Sequence, residues 1–376
     1  MKIFFVFITA VHGAIHLMGF AKAFNYAEIK ELTCPISRPA GSLWLACALL
    51  FIAAAFLIAA EYRYWWIIAA AAVFISQPLV ISCFKDAKFG TIPNLIILAA
   101  AVTAYGVWSF DDYSRRELEI LLNSARPEKI KISAESFAGL PLPIRKWFER
   151  SNITGKEISS VVYLSQRGEL RTAPDGKWMP AAARQWLISD KPGFLWKARI
   201  EAAPLVHISG CDKYYDGRGR MLIKLMSLFK IADSSGNQID QGTLLRYMGE
   251  SVWSPAALLN SFVKFEQIDD SRVRAVMNYG GVEASGVYEF DGSGDFKSFT
   301  AMRYYDRREG ATLEEWLVTA DPDGYREFGG IRVPAKLSVT WKLKSGDFTW
   351  YRLEVDRIEY GLSPQHYRSE ISGSID

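Results

Sequence analysis

The sequence predicts an α+β protein: a four-helix transmembrane bundle followed by a curved antiparallel β half-barrel with covering helices. Three observations predict it. Apolar residues crowd into the first 110 positions, in four segments of about the 20 residues that a bilayer core demands. Residues 111–157 turn charged and carry helical spacing. From about residue 158 the period falls to two, and turn sequences such as "DGRG", "DGSGD", "DPDG" and "KSGD" separate the apolar runs. The implied organisation is a transmembrane domain at 1–110, a helical connector at 111–157, and a β-rich domain at 158–376 with a helical insertion at 239–262.

The four apolar segments run over about 3–23, 43–60, 64–83 and 93–110. Trp65, Trp66 and Trp108 fall near their ends, where aromatic rings favour the interface. Alanine runs at 69–72 and 99–101 suit close helix packing in lipid. Lys2, "IFFVFITAV" and a later "AKA" imitate a cleaved signal peptide. The apolar stretch nevertheless continues through two histidines, and three more spans follow, so the first helix is expected to stay. Lys22, Lys30, Arg38, Lys85 and Lys88 lie on one side of such a bundle; Lys2, Arg63, Arg115 and Arg116 lie on the other. The positive-inside rule then tilts loops one and three toward the cytoplasm, with the C-terminal part extracytoplasmic.

Within the first span, "VHGAIHLMGF" puts His12 and His16 four residues apart on one helix face. Ionisable residues inside a span are costly and default to a functional reading. Two readings stay open, a polar seam between packed helices and a quinone-, haem- or metal-contacting pair. The remaining spans add Ser76, Gln77, Ser82, Cys47, Cys83 and Thr103, but neither a third histidine nor a central carboxylate. The third loop, "CFKDAKFGTIPNL", reads as a tight charged turn, with Thr91 capping the next helix and Pro93 in its first turn. Cys34, Cys47, Cys83 and Cys211 form no CxxC or zinc-like spacing, and they give no redox compartment.

Leu118, Leu121 and Leu122 predict a short amphipathic helix leaving the membrane, and "LPLPIRKWFERS" predicts a second over 141–150. "WMPAAARQWLIS" reads as a third, over 180–188, opened by Pro180. The strand-like runs number roughly ten to twelve, at the upper end of what stays flat, so the sheet must curl, close or be covered. Val339, Trp341 and Leu343 alternate with polar neighbours, as do Tyr351, Leu353 and Val355.

The insertion "IDQGTLLRYMGESVWSPAALLNSF" offers Asp240 as an N-cap and an apolar stripe of Leu244, Leu245, Met248 and Val252. Pro255 breaks it. Arg246 and Glu250, at i and i+4, are the polar ligand-binding candidates and Trp253 a candidate wall, although a plain surface ion pair explains the first two as well.

The net charge of +3 and the lack of any basic block exclude a nucleic-acid footprint. No GxSxG, HExxH, P-loop or dinucleotide fingerprint occurs, and no cofactor or metal is implied. His207, Ser209 and Cys211 alternate onto one strand face, where parallel projection does not build a triad. His366 lies in a polar tail.

The blocks "HGAIHLMGFAKAF", "PISRPAG", "DAKFGTIPN", "PGFLWKARI", "DGRGRM", "DQGTLLRYMGESVWSPAALL" and "YREFGGIRVPAKLSVTW" resemble an uncharacterised bacterial family known as a domain of unknown function. That resemblance transfers no catalytic residue. In layout the strand-rich part is similar to the half-barrel of lipoprotein carriers such as LolA and LppX, which implies an apolar concavity under a helical lid. The membrane part is loosely similar to DoxX-type bundles, without a matching redox motif. The expectation is a bacterial inner-membrane protein, partnered by the bilayer, that binds a lipid or other apolar small molecule without catalysis. The rivals are a membrane redox or quinone-linked component using His12 and His16, an unrecognised enzyme using the 239–262 helix, and a scaffold.

Overall fold

A computed structural model describes residues 2–126, 129–307 and 309–361; His366 lies outside them. The chain divides into two compact units, Met1–Ser109 and Phe110–Asp376.

The first unit contains α1 (Lys2–Ala23), α2 (Arg38–Ala59), α3 (Trp65–Ser82), the one-turn α4 (Phe84–Ala87) and the start of α5 (Thr91–Ser124). Four helices are long and apolar enough to cross a membrane. The side chain of Ser37 caps α2 by accepting from the Ala40 N–H, and Pro39 occupies the first turn, where its missing N–H costs nothing. On α1 the buried residues Thr9, His12, Gly13, His16, Gly19 and Ala23 fall on one helix face. That stripe faces α2 closely: a Cβ on Gly19 would lie 2.3 Å from the Trp44 ring. Phe4, Phe7, Phe56 and Phe74 point outward and are exposed, a surface suited to lipid. Cys34 and Cys83 form a disulfide, a pairing the sequence reading did not anticipate. The Asp86 carboxylate holds the same loop by accepting from the Thr33 and Cys34 backbone N–H groups at 2.6 and 2.9 Å.

Two expected boundaries move. The amphipathic helix after the last span is the C-terminal part of α5, which runs unbroken to Ser124. The predicted helix over 180–188 is a strand. Its alanines are the strongest helix formers, but propensity is a small effect, and residue-by-residue pairing with strands on both sides overrides it. Pro180 is tolerated because it falls at the second residue of that strand.

The second unit is strand-rich. After β1 (Lys129–Lys131), α6 (Leu142–Arg150) and β2 (Glu157–Ser159) come β3 (Val161–Leu170), β4 (Met179–Ile188), β5 (Gly193–Ala203), β6 (Val206–Tyr215), β7 (Arg218–Leu225) and β8 (Phe229–Ser235). Helix α7 (Asn237–Glu250) and two short 3-10 turns ending at Leu259 interrupt the strands. There follow β9 (Val263–Gln267), β10 (Arg272–Tyr279), β11 (Val282–Phe290), β12 (Phe296–Tyr305), β13 (Thr312–Ala320), β14 (Tyr325–Phe328), β15 (Ile331–Pro334), β16 (Lys336–Leu343) and β17 (Gly346–Glu359). Thirteen strands form one antiparallel sheet in the order β8-β7-β6-β5-β4-β3-β17-β16-β13-β12-β11-β10-β9, while β1–β2 and β14–β15 pair separately.

The sheet is a curved half-barrel. Helix α7 packs against β7 near one edge and against β11 and β12 near the other, so the sheet wraps around it. The β6–β7 and β10–β11 turns meet: a Cβ on Gly217 would lie 2.5 Å from the Gly280 carbonyl oxygen. Both glycines have positive φ, +75° and +59°, so backbone freedom and close approach are needed at the same points.

Alternation gives the sheet two faces. Val162, Leu164, Leu187, Phe194 and Tyr214 point inward with α6 and α7 into one continuous core. Tyr163, Trp186, Ile188, Leu195, Cys211 and Leu222 point outward and are covered by Phe110, Leu118, Leu121 and Leu122 of α5. Pro255 opens a new 3-10 turn after α7, as its missing N–H requires. Asp240, expected as the N-cap, lies inside the first turn instead, and Gly236 holds the cap position. The Asp240 carboxylate accepts from the Gly219 N–H at 2.7 Å and from Arg218 at 3.0 Å, tying α7 to the start of β7.

Candidate functional site

The histidine pair of the first unit forms a closed neutral seam. His12 Nε2 donates to Asn94 Oδ1 at 2.8 Å, and His16 Nδ1 donates to the His12 carbonyl at 2.8 Å. That bond leaves His16 Nε2 to accept from the Ser76 hydroxyl, also at 2.8 Å. Asn94 Nδ2 completes the set by donating to Ser76 and Gln77. Phe51 packs on both imidazoles and Trp44 on that of His16. Among the described residues no group of three His, Cys, Asp or Glu could hold a metal ion.

The second buried polar cluster lies between α7 and the inner face of the sheet. Register builds one wall. Asp212 on β6, Trp196 on β5, Gln185 on β4 and Leu164 on β3 are direct cross-strand neighbours. The facing wall places Trp316 on β13 opposite Trp341 on β16, with Arg303 two residues beyond Ala301 on β12. Helix spacing sends Arg246 and Glu250 down from α7 into this space.

Arg246 is the hub. Its Nη1 donates to Asp212 Oδ2 at 2.6 Å and its Nε to Glu250 Oε1 at 2.7 Å, all three side chains being nearly buried. The guanidinium carbon lies 5.1 Å from the Phe194 ring centre and 4.8 Å from that of Trp196. Gln185 donates to Glu250 Oε2 at 2.5 Å, Gln166 donates to Gln185 at 3.0 Å, and the Tyr351 hydroxyl donates to Gln166 at 3.0 Å. Burial raises the Asp212 carboxyl above the usual carboxylate range, against the pull of Arg246 and Arg303. Burial and the Arg246 charge bring the Arg303 guanidinium down to about 10.

Arg246 and Glu250 thus belong to a buried network rather than to a plain surface pair. Trp253 is buried in the same core but serves as a staple: its Nε1 donates to the Pro334 carbonyl at 2.9 Å, and its own carbonyl accepts from Tyr360 at 2.9 Å. Sequence reasoning did not single out Gln166, Gln185, Asp212, Arg303 or Tyr351 as members of this site. Their signal was inward alternation on separate strands, readable only with the register. His207, Ser209 and Cys211 do share the outer face, where His207 and Ser209 both bond Ser227, at 2.9 and 2.8 Å, with no carboxylate among those bonds. Burial lowers the His207 imidazole from its ordinary value, aided by Arg199.

The expected apolar hollow is not open trough. Leu244, Leu245, Tyr247, Met248 and Val252 fill the concave side, each at most 1% exposed. A shallow surface pocket of about 250 Å³ lies elsewhere, between Pro143, Lys146, Ser271 and Gly294.

Residues 138–360 match a family described as one of unknown function, DUF6920. The chain belongs to that family. The expected resemblance is therefore shown, and the DUF6920 region contains the whole second cluster. No curated protein matches the chain. A crystal structure from Vibrio parahaemolyticus, provisionally named an outer membrane lipoprotein-sorting protein domain, matches with 10% identity and a TM-score of 0.32. The alignment covers 56% of this chain and 91% of that one.

Proposed function

We propose that this DUF6920 protein is a membrane-anchored, noncatalytic binding protein for a lipid or other apolar ligand, received on the concave face of the sheet beneath α7. The observation that carries the reading is the composition of that space. Phe194, Trp196, Trp316, Trp341 and Tyr351 surround a few fixed polar groups, which is how ligand sites are lined. Helix α7 occupies the space when no ligand is present, and the ligand displaces it. The buried ions favour that exchange, because desolvation offsets much of their mutual attraction. The test is solvent extraction of the purified full-length chain followed by mass spectrometry, with a photoreactive alkyl probe as a second arm. Co-purified lipid, or probe cross-links to Trp196 and Trp316, is expected. Empty protein with cross-links confined to α1–α3 ends the proposal.

The disulfide supports one orientation of the proposed anchor. Structural disulfides persist in oxidising compartments, so Cys34 and Cys83 belong on the outer side of the membrane. If all four helices span, the chain then leaves α5 on the cytoplasmic side, the reverse of the orientation suggested by loop charge. Charge is a weak opponent here, since Arg126 joins Arg115 and Arg116 after the last span. A C-terminal green fluorescent protein fusion should glow and a C-terminal alkaline phosphatase fusion should be inactive; an active phosphatase restores the charge-based orientation.

A further inference from the structure

Two guanidiniums and two carboxylates share the space under α7, yet they are not paired two by two. Both carboxylates are spent on Arg246. Arg303 makes no hydrogen bond and no ion pair among the described residues, although it is mostly shielded from solvent. Its direct cross-strand neighbour, Glu314, is taken by Arg307 and Thr312. What holds Arg303 is aromatic: its guanidinium carbon lies 5.0 Å from the Trp316 ring centre and 5.9 Å from that of Trp341. Gly242 of α7 lets it come close, since a Cβ there would stand 3.0 Å from Arg303 Nε. The indole N–H groups of Trp316 and Trp196 are also buried without an acceptor among the described residues. The region therefore holds donors in surplus, and buried donors without acceptors are costly.

We infer that Arg303, stacked on Trp316 and Trp341, is an anion subsite that receives the acidic headgroup of an amphiphile, a carboxylate or phosphate, while the alkyl part lies on the aromatic wall. The inference rests on the apolar-ligand reading above and adds the chemistry of the head. A guanidinium presents its N–H groups as a fork that matches either oxyanion, whereas a neutral alcohol head can accept no comparable pair of charged bonds.

The experiment titrates the full-length chain, held in phosphatidylcholine nanodiscs, with dodecanoate, dodecyl phosphate, dodecanol and inorganic phosphate by calorimetry, with empty discs as blank. Wild type should bind dodecanoate or dodecyl phosphate roughly tenfold or more tightly than dodecanol, the factor that one or two charge-assisted hydrogen bonds supply. Arg303→Met should erase that preference, read as the ratio of acid to alcohol affinity within the same variant. Arg303→Lys, which keeps the charge, should restore part of it and guards against a merely misfolded variant. Equal binding of acid and alcohol by wild type, or a preference that survives in Arg303→Met, overturns the subsite and leaves the apolar-ligand reading standing. Binding of neither acid nor alcohol overturns both. Inorganic phosphate binding as tightly as dodecyl phosphate overturns the headgroup in favour of a free anion.

Discussion

Two of the buried polar clusters among the described residues are built on opposite terms. In the first unit His12, His16, Ser76, Gln77 and Asn94 are neutral partners that satisfy one another at 2.8–3.0 Å. In the β unit Asp212, Arg246, Glu250 and Arg303 are ionic, walled by aromatic rings, and leave one guanidinium without an acceptor among the described residues. The first cluster is what a seam between helices needs, since an unsatisfied group in lipid is costly. The second carries more charge than packing needs. On the reading proposed above, the ligand meets the cluster whose bonding is incomplete, although the histidines drew attention first.

Removing Glu250 should break the contrast most. Glu250→Ala leaves Arg246 with only Asp212 and Gln185 without its acceptor, so unfolding of the β unit should ease by about 3–5 kcal/mol, the usual cost of stranding a buried charge. Chemical denaturation followed by far-UV circular dichroism checks it, and a loss under 1 kcal/mol would mean that water already reaches the cluster. Trp253→Phe probes the packing beside the ions. It keeps an aromatic ring but loses the bond to Pro334 and part of the indole's packing, at a cost of about 2–4 kcal/mol by the same measurement. The seam should be milder per bond. His12→Leu with His16→Leu removes bonds worth about 0.6 kcal/mol each in a membrane setting. The double variant should shift the melting of the helical bundle slightly and change no visible absorption band. A band lost from wild type would turn the seam into a cofactor site.

The smallest effect is a pH slope. The folded Asp212 carboxyl titrates above its ordinary value, so the stability it adds is complete below the unfolded carboxylate pKa. That stability is lost as pH rises through the folded value. Asp212→Asn should flatten that segment of a stability-versus-pH curve. An unchanged curve would assign the slope to other carboxylates, such as Asp233, which Arg220 and Lys230 hold down at about 2 and which acts with the opposite sign.

Much of this arrangement was legible in the chain. Four long apolar runs and a later period of two announced the bundle and the curled sheet, because both patterns are local. Arg246 and Glu250 stood out for the same reason, one turn apart on one helix. Their partners did not. Asp212, Gln185, Gln166, Tyr351 and Arg303 arrive from five strands and become neighbours only once the register is set. The alanines of β4 spoke for a helix until pairing on both sides settled otherwise. The Cys34–Cys83 bridge joins residues 49 positions apart, beyond what spacing can signal.

The meeting of Gly217 and Gly280 sets the girth of the β unit. From β6 round to β11 the path crosses nine strands before its two ends touch. A ring of about eight strands has a bore that its own side chains fill, or that admits one small guest. Interior room is therefore narrow: α7 fills the bore, and a ligand of the proposed kind would have to take its place. Because the clasp joins two residues without side chains, one added methyl at either position is enough to spring it.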